Sequence, residues 1–340
     1  MTAVGRITRT QYVIYGVLIA LAVVLVSFPA WLPAYYLTTV TRILFYSMLA
    51  MSLSFLAGQG GMVSLTQTGL FGFSAYVLAI LSVHYDAPFP FPLLIAIVGT
   101  VALAVVFGVI AMRTYGTYFL ILTLALGQIV WAVAQQWTSV TEGFDGIQGT
   151  RAPIIGDLSF RDPANFYWVL LIVFLACFFL LRAVINSPFG LALRGTRESP
   201  VRMAALGFTV PRIRLAAFVI AAVPAAIAGT FFVQFTGIVT PVTLSLDRTV
   251  WILLIVILGG VGSLGGTVIG VFVAMMFEVV VTRFTERYLT AMGITFLLLV
   301  LFAPNGIMGV VDSIRNRFAR RARAAADDRD QPEPPATGAQ

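Results

Sequence analysis

The sequence contains no lysine: all 21 basic residues among its 340 are arginine. That excludes a P-loop lysine, a Schiff-base lysine and a Ser-Lys catalytic pair. It has one cysteine, Cys177, and one histidine, His84. A disulfide within the chain is therefore impossible, and no Cys/His metal site can be assembled. Charge is scarce as well, at 10% of residues against about 25% in soluble domains. Hydrophobic residues reach 59%, against roughly 45–50% in an ordinary domain. So little polar surface cannot cover a soluble fold of this length, and the composition equally excludes a disordered chain. No long stretch has soluble composition, which excludes a single anchor carrying a large soluble domain. The net charge of +7 would suit nucleic acid, but its distribution assigns it to one face of a membrane, and no nucleic-acid partner is expected.

What the chain has instead is long apolar runs. A spanning helix needs roughly 20 such residues. Tyr12–Leu32, Ile43–Ala57, Met62–Val83, Phe91–Met112, Thr117–Trp137, Phe166–Arg182, Leu215–Phe235 and Ala291–Val311 fit this requirement, some of them short. The N-terminal run lacks a small-residue cleavage site and reads as a retained span. Thr249–Thr282, whose only charge is Glu278, is too long for one untilted pass, and the glycines of Gly259–Gly266 would break it.

Arginine placement gives the orientation. Arg6 and Arg9, the loop 186–214 with five Arg and one acid, and the stretch Ser313–Arg323 with five Arg and no acid belong in the cytoplasm. The acid-bearing loops His84–Pro90 and Thr138–Asn165 belong outside. Two cytoplasmic termini demand an even number of spans, so Thr249–Thr282 must turn back on itself. The expectation is an all-α polytopic membrane protein of about ten transmembrane helices, several short or Gly-broken. Its regions are a cytoplasmic N-terminus (1–11), a transmembrane domain (12–311) and a basic, then disordered, cytoplasmic tail (312–340).

Gly260, Gly262 and Gly265 spell a dinucleotide-binding pattern, and the same stretch resembles a Walker A motif with Gly266 in place of lysine. A soluble βαβ unit cannot form inside this apolar run, so the glycines serve close helix approach or a backbone turn. In the loop 186–214, Ser187-Pro188 and Ser199-Pro200 each read as an N-cap followed by proline at the first helical position. Gly195 and Gly207 sit where helices would stop. The loop therefore reads as two short helices, Pro188–Arg194 and Pro200–Leu206. The second carries Val201, Ala204 and Ala205 on one side and Arg202 on another. Such a face calls for a partner surface, or for a basic tether to anionic lipid.

Gly58-Gln59-Gly60-Gly61 opens a run of small and hydroxyl residues containing Ser64, Thr66 and Gln67, and Tyr115-Gly116-Thr117-Tyr118 leads to Gln128. These stretches suit either close helix packing in lipid or a broken-helix substrate path. Glu278 faces a path or marks the outer boundary of its span. Gln59, Ser64, Thr66, Gln67, Gln128 and Glu278 are the candidate path residues. His84 reads as an exposed loop residue and Cys177 as apolar packing.

The segments Ala57–Tyr76, Tyr115–Ile129, Thr141–Gly149, Ser187–Phe208, Ile257–Gly270 and Leu301–Val310 together resemble the LivM-type permease of branched-chain amino acid ABC importers, in that family's order. The resemblance implies a transport subunit, not an enzyme, in the cell (inner or plasma) membrane. It implies two partner ATPases, a second homologous permease and an external substrate-binding protein, with ATP used by the partners and no cofactor held by this chain. It also implies that Ser187–Phe208 is the cytoplasmic coupling loop. Arg194, Arg197 and Glu198 match the family's Arg-x-x-Arg-Glu core, while Arg202, Ala204, Ala205 and Gly207 belong to the docking piece. Thr66-Gln67 departs from the family's usual Gly-His, which leaves urea, short amides and aromatic acids open as cargo beside branched-chain amino acids. The rival class is a secondary transporter or channel for small solutes, for which Glu278 alone offers an ion site. An intramembrane enzyme lacks paired catalytic groups.

Overall fold

The computed structural model describes residues 34–150, 153–155, 158–160 and 162–282, together with Gly293 and Gly306. The predicted spans Tyr12–Leu32 and Ala291–Val311 and the basic tail lie outside them, the two glycines apart. Among the described residues, six helices are long and apolar enough to cross a membrane, and the chain is a multi-pass membrane protein.

The centre of the bundle is α1 (Ala34–Gly60), 27 residues or about 40 Å at 1.5 Å per residue. Its spanning window is 94% buried. A helix apolar all round can be surrounded on every side, and α1 is. Phe45, Met48, Leu49, Phe55 and Leu56 fill its contacts, and Ser47, Ser52 and Ser54 are wholly enclosed. Next in the chain come α2 (Gln67–Val83), which packs against α1, then α3 (Phe91–Ala111) and α4 (Thr117–Gln136), which pack on α2, and, after a single turn α5 (Thr138–Thr141), α6 (Pro163–Asn186), which packs against α1 again. The spanning windows of α3, α4 and α6 are only 28% buried, so most of their surface is left for lipid or another chain. Asp162 caps α6, its Oδ1 accepting from the Ala164 amide.

The loop 186–214 carries α7 (Pro188–Glu198) and α8 (Pro200–Ala205). Then come α9 (Val210–Thr236), α10 (Leu246–Gly259) and α11 (Leu264–Val281). Helices α10 and α11 form an antiparallel hairpin: Gly259 lies against Gly266, and Gly270 against Ile255. Gly260 and Gly262 adopt φ of 101° and 92° at the turn, a region glycine enters without a steric penalty. The long apolar run 249–282 therefore does turn back at its glycines.

Two details differ from the sequence expectation. Met62–Val83 is not one helix, because 62–66 runs non-helical and α2 starts only at Gln67. Nor is the chain purely helical: Ile147–Gln148 (β1) pairs antiparallel with Ile238–Val239 (β4), and Ile154–Ile155 (β2) with Leu158–Ser159 (β3).

The two ends of the bundle separate by composition. At one end His84 meets Glu142 at 3.2 Å, and the β1–β4 ladder ties 147–148 to 238–239. The other end gathers α7, α8, the turn near Thr114, the glycines that close α1 and the α10–α11 turn. Gly306 lies against Ile257, Leu258 and Gly260 at this second end.

Candidate functional site: a coupling unit fastened to the central helix

The local chemistry of α7 and α8 was written in their caps. Ser187 Oγ accepts from the Gly190 amide at 3.3 Å, and Ser199 Oγ from the Arg202 amide at 3.3 Å, each followed by proline at the first position. The prediction that Gly195 stops the first helix is corrected: α7 continues to Glu198. Gly195 instead lets Met203 of α8 approach, since a Cβ there would sit 2.7 Å from its sulfur. Helix α8 ends one residue early, at Ala205, and Gly207 with φ of 87° terminates the motif as expected.

The inner face of this unit is held by arginines. Arg194 Nη1 donates to Gln59 Oε1 at 3.0 Å and to the Ile185 carbonyl at 3.1 Å. Arg197 Nη1 donates to the Gly58 carbonyl. Both thus sit at the C-terminal end of α1, where carbonyls lack helical partners and the helix dipole favours cations. Hydrogen bonds from charged donors contribute about 1.5–3 kcal/mol each. Gln59 passes the contact on: its Nε2 donates to the Gly262 carbonyl at 3.4 Å. Gly262 and Gly58 meet backbone to backbone, and a Cβ on Gly58 would fall 1.9 Å from the Gly262 Cα. Ser54 Oγ accepts from the Gly262 amide at 3.2 Å and from Thr267 Oγ1 at 2.8 Å. One continuous set of contacts runs from α7 through the end of α1 to the tip of the α10–α11 hairpin.

The outer face of the unit is apolar and open. Val201 is 79% exposed and Leu206 72% exposed, with Leu191, Ala204, Ala205 and Phe208 also exposed. Glu198 and Arg202 point to solvent beside them, and among the described residues neither forms an ion pair.

The candidate path residues do not share one place. Gln59 belongs to the arginine clamp. Ser64, Thr66 and Gln67 lie in and just after the non-helical segment, enclosed in protein. Thr66 Oγ1 donates to the Thr123 carbonyl at 2.7 Å, and Thr123 Oγ1 accepts from the Leu65 amide at 3.2 Å. Ser52 Oγ donates to Gln67 Oε1 at 2.7 Å. Irregular backbone at this depth needs such partners, because no water is there to replace the missing helical bonds. Among the described residues, Gln67 Nε2 and Ser64 Oγ have no hydrogen-bond partner. Gln128 stands half-buried on α4. Glu278, half-buried on α11, lies at the opposite end of the molecule from the clamp, within electrostatic range of Arg248 and Arg42.

Sequence reading missed Arg214 as a site residue, counting it only as loop charge. It is 5% exposed, one turn inside α9. Its guanidinium lies 4.3 Å from the Tyr115 ring centre and 5.5 Å from that of Phe119. Nε donates to Met62 Sδ at 3.1 Å, and Nη1 reaches the Thr114 carbonyl at 3.4 Å. The nearby Tyr115-Gly116-Thr117-Tyr118 motif was the available signal, since an arginine needs an aromatic or polar cage when buried.

A bundle of long apolar helices, with short helices fastened by arginines at one end, defines a polytopic membrane protein. The chain belongs to the family described as "Branched-chain amino acid transport system / permease component", which matches residues 35–303. It is 27% identical to the high-affinity branched-chain amino acid transport system permease protein LivM of Escherichia coli K12, over 86% of this chain and 74% of that protein. It is 24% identical to the probable LivM of Methanocaldococcus jannaschii over 56% of this chain and 59% of that protein. It is also 29% identical to LivH of Salmonella typhimurium over 42% of this chain and 46% of that protein. No solved structure matches significantly.

Proposed function

We propose that this chain is the permease subunit of an ATP-driven importer for branched-chain or related apolar amino acids. Two cytoplasmic ATPases, a second homologous permease and an external binding protein complete the assembly. The reading includes about ten spans, both termini in the cytoplasm, and a permease domain over 12–311. In it the chain binds no cofactor, and the ATP is hydrolysed by the partners.

The observation that carries this reading is the two-faced α7–α8 unit, apolar outside and fastened by Arg194 and Arg197 inside. Its exposed face, with Val201, Ala204, Ala205 and Leu206, is the docking surface for an ATPase. When the ATPases close on ATP, the unit moves with them. Because Arg194 and Arg197 grip Gly58 and Gln59, the cytoplasmic end of α1 moves too, and Gln59 carries the displacement to Gly262. Rigid-body tilting of packed helices then exchanges outward-open for inward-open states. Glu278 sits among arginines at the outer end, a charge-balanced position rather than an ion-coupling site.

The test is purification from native membranes in mild detergent, identification of co-purifying chains, and uptake in liposomes. Recovery of an ATPase and a second permease, with uptake that requires ATP and stops on Arg197→Ala, is the expected result. Recovery of this chain alone, with flux indifferent to ATP, overturns the reading in favour of a channel or secondary transporter. Screening the co-purified binding protein against branched-chain and aromatic amino acids, urea and amides identifies the cargo.

A further inference from the structure

At the end of the bundle opposite the clamp lies a cavity of about 840 Å³, within the roughly 300–1,000 Å³ range of small-molecule sites. It opens between the start of α1 (Thr38, Arg42), the start of α6 (Phe166) and the end of α9 (Gln234 to Gly237), with Thr150 and Phe160 completing its wall. The arginine distribution makes this the extracytoplasmic end.

Three kinds of chemistry meet there. Arg42 is exposed and offers a guanidinium that can grip a carboxylate with two parallel bonds. On another wall, α9 ends at Thr236, and the carbonyls of its last turn carry the negative end of the helix dipole. The Gln234 side chain adds a further oxygen. Between these polar groups, Phe160, Phe166 and Phe235 supply an apolar wall.

We propose that this cavity is a receiving site for the zwitterion of an apolar amino acid on the outer side of the permease. Arg42 takes the carboxylate. The carbonyls at the end of α9, with the Gln234 side-chain oxygen, take the ammonium, and the three phenylalanines take the side chain. The two signs of charge lining one cavity separate this ligand from an anionic lipid, whose phosphate would meet Arg42 but be repelled by the carbonyl end of the helix. The inference rests on the importer reading and adds to it a site on the permease itself.

Cysteine accessibility tests it, because the single native cysteine, Cys177, is buried. Thr38→Cys is introduced into the complete importer in nanodiscs and labelled with a membrane-impermeant maleimide. L-leucine or L-phenylalanine at ten times its dissociation constant slows labelling about tenfold by occupancy. 4-Methylpentanoate, lacking the ammonium, and 3-methylbutylamine, lacking the carboxylate, do not. Arg42→Gln abolishes protection by either amino acid. Gln234→Cys serves as the reporter if the Thr38→Cys complex fails to assemble. Unchanged labelling at tens of millimolar amino acid, or protection that survives Arg42→Gln, overturns the site. Labelling that follows phosphatidylglycerol content instead assigns the cavity to lipid and also overturns it. ATP-driven uptake is measured on the same preparation. Uptake without protection removes this site alone, whereas loss of ATP dependence removes the importer reading.

Discussion

At the scale of single residues, Gln59 is the most exposed to test. It accepts from Arg194 and donates to Gly262, so Gln59→Leu removes the side-chain link from α7 to the hairpin and leaves Arg197 on the Gly58 carbonyl and the Gly58–Gly262 backbone contact. Arg194 keeps its bond to the Ile185 carbonyl and loses the one to Gln59, a hydrogen bond from a charged donor worth about 1.5–3 kcal/mol. The expected outcome is ATP-driven uptake lowered roughly tenfold or more, converting that energy to rate, with ATPase activity of the complex retained. Parallel assays of uptake and phosphate release check it. Gln59→Glu keeps the bond to Arg194 but loses the donor to Gly262, so it uncouples without releasing α7. Arg214 gives a second residue-scale prediction. A lysine ammonium lacks the planar face that lies on the Tyr115 ring and the fixed fork that reaches both Met62 and Thr114, so Arg214→Lys lowers the Tm measured in detergent. Both residues show where sequence reading stopped. The Arg-x-x-Arg-Glu core was legible through the family resemblance. Gln59 was read as a path residue because its partners, Arg194 and Gly262, lie 135 and 203 positions away. Arg214 was read as loop charge because it precedes an apolar run by one residue, and no periodicity reports that the helix starts a turn earlier.

At the scale of elements, the crossing of α1 with the α10–α11 turn depends on the absence of two Cβ atoms. Gly58→Ala places a methyl where the Gly262 Cα already is, and the obstacle is backbone, which cannot rotate away. The hairpin must be displaced, and overpacking of this kind costs about 1–3 kcal/mol or more. The expected result is a lower Tm and loss of coupled uptake, both worse than for Gly265→Ala, where a Cβ meets nothing within 4 Å. Thermal unfolding of the two variants side by side decides it. That the run 249–282 folds back was legible, because its length and its glycines left no other way to place the arginines. That Met62–Thr66 is not helical was not legible. Hydropathy measures side-chain apolarity, which 62–66 shares with a helix. The backbone departs from helix because Thr123, an element away, satisfies the Leu65 amide and the Thr66 hydroxyl.

At the scale of the whole molecule, the described loops that arginine counting separates lie at two different ends of the bundle. His84 and Glu142, read as outer-loop residues, meet at one end, while α7, α8, the Gly58–Gly61 stretch and the hairpin turn meet at the other. What counting could not show is that the α7–α8 end is one contiguous set of contacts with an exposed apolar surface. That surface carries the last prediction. Val201 and Leu206 flank the exposed side of α8, and neither supports the fold from within, which Met203 and Leu193 do instead. Burying each against a partner contributes about 1.5–3 kcal/mol. A double Val201→Asp, Leu206→Asp variant removes that gain and places two charges against whatever docks there. The expected outcome is a permease that reaches the membrane in normal amount and keeps its Tm, but no longer brings an ATPase through purification. Met203→Asp is the contrasting variant: it opens the α7–α8 junction from inside and lowers the Tm as well. If the exposed double variant still retained its ATPase, the docking surface would have to lie elsewhere. The clamp at Gly58 and Gln59 would then anchor a helix pair that receives no force.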